Sequence, residues 1–143
     1  MKELSEQARK RVELLLGMYV ETTKVKINEN EFTLRTLKVK ELKEIFMKAQ
    51  LKSTSNTQLE YEFNLDCFKL AYSLKEISGI PIDEFLGIKH LSYDEKIEEK
   101  FSFIENFEVA LSGKLAKVQS EMQSELDKKI NENVDNLSDE IKK

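Results

Sequence analysis

Histidine and cysteine, the residues that most often carry acid–base, nucleophilic or metal chemistry, occur once each, as His90 and Cys67. A proton shuttle or metal site sets a histidine against carboxylates, cysteines or a second histidine at fixed spacing. No such cluster surrounds Lys89-His90-Leu91, so His90 reads as a surface or packing residue. Cys67 falls on the apolar face of an expected helix. There a thiol packs as a small hydrophobe and lacks the nearby positive charge that makes a reactive thiolate. Carboxylates are abundant, in Asp83-Glu84, Asp94-Glu95 and Glu98-Glu99. An acid–base pair needs opposed carboxyls in one cleft with separated pKa values. Adjacent acids at a helix start more simply complement the helix dipole. Calcium-loop, zinc-protease, nucleophile-elbow and phosphate-loop motifs are missing from the sequence. The reading is of a protein that is not an enzyme and uses no metal or cofactor.

Apolar side chains at helical spacing are the more informative signal. In Phe101-Ser102-Phe103-Ile104-Glu105-Asn106-Phe107, Phe101 and Ile104 share one seam. Phe103 and Phe107 make a second strip about half a turn away. A helix with two apolar strips touches two neighbours, which belong either to the same chain or to a partner. Further on, Leu115, Val118, Met122 and Leu126 continue the stripe toward Ile130 and Val134. The rest of the chain offers few apolar residues to cover so long a helix, and an uncovered stripe marks association. The expected partner-binding set is therefore Phe103, Phe107, Leu115, Val118, Met122 and Leu126.

These residues must be positioned by a mainly α (α+β) fold. One Pro and four Gly in 143 residues favour long, uninterrupted helices. Leu4, Ala8, Val12, Leu15 and Tyr19 recur at three- and four-residue steps, with Gly17 near the end, and predict a helix within residues 1–23. The period then changes to two. Val25 and Ile27, then Phe32 and Leu34, alternate with polar residues around Asn28-Glu29-Asn30-Glu31 and predict a β-hairpin over 24–37. Val39, Leu42, Ile45, Phe46 and Ala49 predict a helix that Thr36 would cap. Leu59, Phe63, Cys67, Leu70, Leu74 and Ile77 predict another, ended by Gly79 and Pro81. Ile80 to Gly87 reads as a loop or single turn. Ser92-Tyr93-Asp94-Glu95 is a capping box that opens a long amphipathic C-terminal helix, with a hinge expected near Ser112-Gly113. The organisation expected is a helical core over 24–111 and a C-terminal helical extension over 112–143. Val12, Leu15, Ile27, Leu34, Leu42, Phe46, Phe63, Leu70, Leu74, Phe101 and Ile104 should form the core.

The charge balance narrows the partners. With 23 Lys and Arg against 27 Asp and Glu, the net charge is −4. Nucleic-acid affinity comes from clustered cations that release phosphate counterions, so it is disfavoured here. Arg9-Lys10-Arg11 is interleaved with Glu3, Glu6 and Glu13 and reads as a solvated helix face. No apolar run approaches the roughly 18 residues that cross a membrane. A single cysteine and the lack of a signal-peptide pattern fit a cytoplasmic setting.

Residues 25–41, Val25-Lys26-Ile27-Asn28-Glu29-Asn30-Glu31-Phe32-Thr33-Leu34-Arg35-Thr36-Leu37-Lys38-Val39-Lys40-Glu41, resemble the opening of small tail- and baseplate-assembly proteins of long-tailed bacteriophages. In these a short hairpin ending in an Arg-containing strand leads into a helix. The stretch Lys69-Leu70-Ala71-Tyr72-Ser73-Leu74-Lys75-Glu76-Ile77-Ser78-Gly79-Ile80-Pro81-Ile82 also looks similar, followed by the helix that Leu91-Ser92-Tyr93-Asp94-Glu95-Lys96 introduces. The resemblance covers roughly residues 24–120. It implies a non-enzymatic assembly role in the bacterial host cytoplasm, holding tape-measure, hub or tube proteins. The alternative it implies is a minor structural subunit of the particle that self-associates through the C-terminal helix.

Overall fold

Two runs of alternating side chains turn on themselves to start the sheet. In a computed structural model, which describes residues 5–15, 20–55 and 57–142, strand β1 (Thr22–Ile27) pairs antiparallel with β2 (Asn30–Arg35). Val25 stands opposite Phe32 and Ile27 opposite Asn30, and Asn28 takes the left-handed conformation (φ 56°) in the connecting turn. The pairing runs one step past the strands. The Thr36 N–H donates to the Glu21 carbonyl at 2.9 Å, and the Glu21 N–H donates to Thr36 Oγ1 at 3.0 Å. Thr36 is thereby buried in the sheet and does not cap the next helix. That helix, α2 (Val39–Lys52), has Lys38 as its N-cap residue, and the Lys38 N–H donates to Glu41 Oε1 at 3.0 Å.

Helix α3 (Gln58–Ser73) ends four residues earlier than the apolar spacing predicts. Leu74 leaves the helix as the first residue of β3 (Leu74–Ile77), which pairs antiparallel with β2, Phe32 opposite Ile77 and Leu34 opposite Leu74. A register shift between Thr33 and Leu34 lets both apolar pairs face inward. Ser78 (φ 50°) and Gly79 (φ 80°) then make a two-residue turn into β4 (Ile80–Pro81). Positive φ at both central positions is the geometry of a tight hairpin turn whose twist matches the strands. The sheet therefore has four antiparallel strands in the order β1-β2-β3-β4, where the sequence predicts one hairpin. The fold class stands: a mainly helical α+β chain with a small sheet and a long C-terminal helix.

A single turn, α4 (Ile82–Phe85), leads to α5 (Tyr93–Glu105). The N-cap half of the expected capping box forms: Ser92 Oγ accepts the Glu95 N–H at 3.3 Å, and the Glu95 carboxylate accepts from the Ser92 hydroxyl at 2.8 Å. The predicted long helix is broken at 106–108. Asn106 closes α5 with its side-chain amide donating to the Ser102 carbonyl at 2.7 Å, which satisfies one of the carbonyls a helix end leaves open. The last helix, α6 (Val109–Lys142), is about 50 Å long at 1.5 Å per residue and passes through Ser112 and Gly113 without a hinge.

The interior forms two linked clusters. One sets Phe32, Leu34, Leu70, Leu74, Ile104 and Leu115 between the sheet, α3 and α6. The other packs Ile45 and Ala49 of α2 against Phe68 and Tyr72 of α3 and Ile97 and Phe101 of α5. The Phe68 and Phe101 rings lie 4.3 Å apart. Of the expected core, Leu34, Leu70, Leu74, Phe101 and Ile104 are buried, and Val12, Ile27 and Leu42 are half-buried. Phe46 and Phe63 are exposed, and their places in the interior are taken by Ile45 and Phe68. Leu4, Gly17 and Tyr19 lie outside the described residues, as do the side chains of Leu15 and Val134.

Candidate protein-binding surface

The six residues expected to hold a partner lie against the chain's own interior. Leu115 is 1% exposed and Leu126 4% exposed. Phe103, Phe107, Val118 and Met122 are half-buried on the first cluster. The second aromatic strip is filled from within: Phe103 packs edge-on to Phe107 at 4.9 Å and beside Phe85 at 5.9 Å, and Phe107 meets Phe32 of β2 at 6.4 Å. The stripe is not left uncovered, because the chain supplies more cover than periodicity reveals. Strand β3 and the turn α4 add Ile77 and Ile82, and α1 (Glu6–Leu15), β1 and α3 all pack against α6. The expectation of a free surface there is corrected.

Exposed apolar side chains gather on α2 instead. This helix buries Ile45 and Ala49 and half-buries Leu42. Its outward side carries Val39, Phe46, Met47 and Leu51, of which Met47 is 64% and Leu51 80% exposed. Concavities flank this ridge. Toward α6, a groove of about 300 Å³ is lined by Leu37, Leu42, Phe46 and Lys69 on one wall and Gln119, Ser120, Gln123, Ser124 and Asp127 on the other. Gln123 fastens its floor, accepting the Leu37 N–H at 2.8 Å and donating to the Leu37 carbonyl at 3.3 Å, as a paired strand would. Gln119, buried beside it, donates to Gln123 Oε1 at 3.4 Å.

At the N-terminal end of α2 lies a wider cleft of about 710 Å³, lined by Val20, Arg35, Lys38, Lys40, Glu41, Glu44, Lys75 and Tyr93. Arg35, the last residue of β2, donates from both terminal guanidinium nitrogens to the two oxygens of Glu41, Nη1 to Oε1 at 2.9 Å. Burial pushes the Glu41 carboxyl up. The Arg35 bonds and the Lys38 N–H outweigh it, so the net direction is down, and the same Glu41 bond raises Arg35 against its own burial. Tyr72 and Tyr93 both donate to Glu44 Oε2, at 2.8 Å and 3.0 Å. Burial and that acceptor push both phenols above their ordinary value. This strand-to-helix clamp escaped the sequence reading, which noted Arg35 in its strand without the acid six residues on.

The residues singled out for chemistry stand apart from one another. Cys67 is half-buried between the two clusters, and burial, with Glu105 and Asp66 nearby, pushes its thiol up to about 11. Asp83 bridges Lys100 at 2.9 Å and Lys96 at 3.3 Å, joining α4 to α5. His90 is exposed in the loop before α5, and Arg9 and Lys10 are exposed on α1. Among the described residues, no three His, Cys, Asp or Glu side chains gather as a metal site, and no helix is long and apolar enough to cross a membrane. Comparison of the chain with family models, curated proteins and solved structures finds no match.

Proposed function

We propose that the protein is a non-enzymatic assembly protein of a long-tailed bacteriophage. In this reading it works in the host cytoplasm and binds tail or baseplate components such as tape-measure, hub or tube proteins. The observation that carries the binding role is the α2 ridge, where Phe46, Met47 and Leu51 stand exposed between two concavities. Grouped apolar residues on a rigid helix rimmed by polar ones mark a protein-binding surface. Burying each such side chain contributes about 1.5–3 kcal/mol, so two or three suffice for useful affinity. The phage setting rests on the sequence resemblance. Affinity capture of the tagged chain from cells that naturally express it, with mass spectrometry, tests both halves. Recovery of a tape-measure, hub or tube protein, lost in Met47→Asp with Leu51→Asp while the far-UV helical signal is kept, is the expected result. Full recovery by the double variant would remove α2 from the interface.

A second reading is a particle subunit that associates through α6. It is favoured by the course of α6, which runs twelve residues beyond the half-buried Ile130. Stoichiometric presence in purified virions, by mass spectrometry, would favour it over the assembly role.

A further inference from the structure

We propose that the cleft at the N-terminal end of α2 receives an acidic segment of a partner protein. The proposal deepens the assembly reading and rests on it. The cleft is lined by four cations, Arg35, Lys38, Lys40 and Lys75, and two carboxylates, Glu41 and Glu44. That leaves a local charge of +2 on a chain whose net charge is −4. Both carboxylates are already engaged: Glu41 by Arg35 and the Lys38 N–H, Glu44 by the two phenols. Lys38, Lys40 and Lys75 are exposed, and among the described residues none of their ammonium groups takes part in an ion pair. Lys38 helps to lower the Glu41 carboxyl, but Arg35 already spans that carboxylate, so the three lysines leave a surplus of positive charge in the cleft.

The backbone adds to this field. Lys38 is an N-cap residue with no side-chain hydrogen bond to the first turn, so open N–H groups and the positive end of the helix dipole add to the lysines. Tyr93 and Val20 supply exposed apolar surface beside the charges. A cleft of this volume lies within the roughly 300–1,000 Å³ of ligand pockets. The mixture fits carboxylates set among apolar side chains. A nucleic acid would need many neutralised phosphates, and the planar fork of Arg35, best suited to phosphate, is held by Glu41.

The test is fluorescence anisotropy of the full chain with a labelled peptide of glutamates and leucines. A peptide with glutamine in place of every glutamate and a single-stranded oligonucleotide of equal charge serve as competitors. The glutamate peptide should bind, weaken with salt, and resist displacement by the glutamine peptide. In Lys38→Glu with Lys75→Glu, two attractions become repulsions and binding should weaken roughly tenfold or more. Circular dichroism checks the fold. Equal binding of both peptides, unchanged affinity of the double variant, or tighter binding of the oligonucleotide through the same lysines would each overturn the proposal. So would tail-protein capture that survives the lysine reversals at full yield, and in that case the protein-binding reading would stand if Met47→Asp with Leu51→Asp still abolished capture.

Discussion

Replacing Leu115 by Ala tests whether α6 is part of the body or a free arm. Leu115 is 1% exposed and sits in the cluster that holds Leu34, Leu70 and Ile104. Truncating a leucine so enclosed loses its transfer free energy and leaves a cavity, together about 2–5 kcal/mol. A domain of this size has about 5–15 kcal/mol in all, so the loss is a large fraction of the whole. With a urea slope of about 2 kcal/mol per molar, the unfolding midpoint followed at 222 nm should fall by roughly 1–2.5 M. Leu51→Ala is the control: at 80% exposure its cost should stay within about 0.5 kcal/mol. If Leu115→Ala proved as mild as Leu51→Ala while abolishing partner capture, α6 would not bury its stripe in solution. The sequence-based assignment of that stripe to a partner would then return.

Gln123→Ala removes both bonds to the Leu37 backbone and should cost about 1–3 kcal/mol, with faster hydrogen exchange at the Leu37 amide. Gln123→Glu keeps an acceptor for that N–H but no donor for the carbonyl, so it should recover part of the loss; full stability in either variant would dismiss the clamp. Acid should destabilise the fold. The Glu41, Glu60 and Asp83 carboxyls are all held below their ordinary 4.5, 4.5 and 3.8, Glu60 at about 2 through bonds from Ser55 and Thr54. Each then contributes stability that is full above its unfolded pKa and is lost as pH falls through its folded pKa. Asp66, raised by burial, opposes them in part. The melting temperature should decline from about pH 4.5 toward pH 2; a flat profile over that range would contradict these partnerships.

The first hairpin and the Ser92 cap of α5 were legible because their signals are local. Val25, Ile27, Phe32 and Leu34 alternate within one strand pair, and Ser92 and Glu95 answer each other across one turn. Strand β3 was illegible for the same reason turned around. Leu70, Leu74 and Ile77 fit three- and four-residue spacing, and four residues are too few to display a period of two. What makes Leu74 to Ile77 a strand is pairing with β2, some forty residues earlier. The local clue was Ser78-Gly79, a turn dipeptide that also suits a helix end. On α2 and α3 the stripes were placed correctly, but their edges were not. One residue turns a helix face by about 100°, and which edge is buried depends on neighbours that sequence spacing does not identify. So Phe46 and Phe63 look outward while Ile45 and Phe68 fill the interior.

That error at the stripe's edge bears directly on function. Had Phe46 been buried, the ridge of Val39, Met47 and Leu51 would stand apart from the groove beside Leu42, which would lose part of its wall. As folded, one short helix separates an apolar groove, floored through Gln123, from a cationic cleft set by Arg35, Lys38 and Lys75. The two sides depend on different long-range pairings, α6 onto Leu37 and β3 onto β2. A partner lying across α2 would sense both. Apolar anchors beside Phe46 would supply affinity, and lysines at the helix start would set orientation and encounter rate. The two contributions are separable by salt. Raising the ionic strength shortens the reach of the lysines to a few ångströms but leaves apolar burial intact. A partner held across the ridge should therefore bind more slowly in salt while its dissociation changes little. A partner held by the cleft alone should be released.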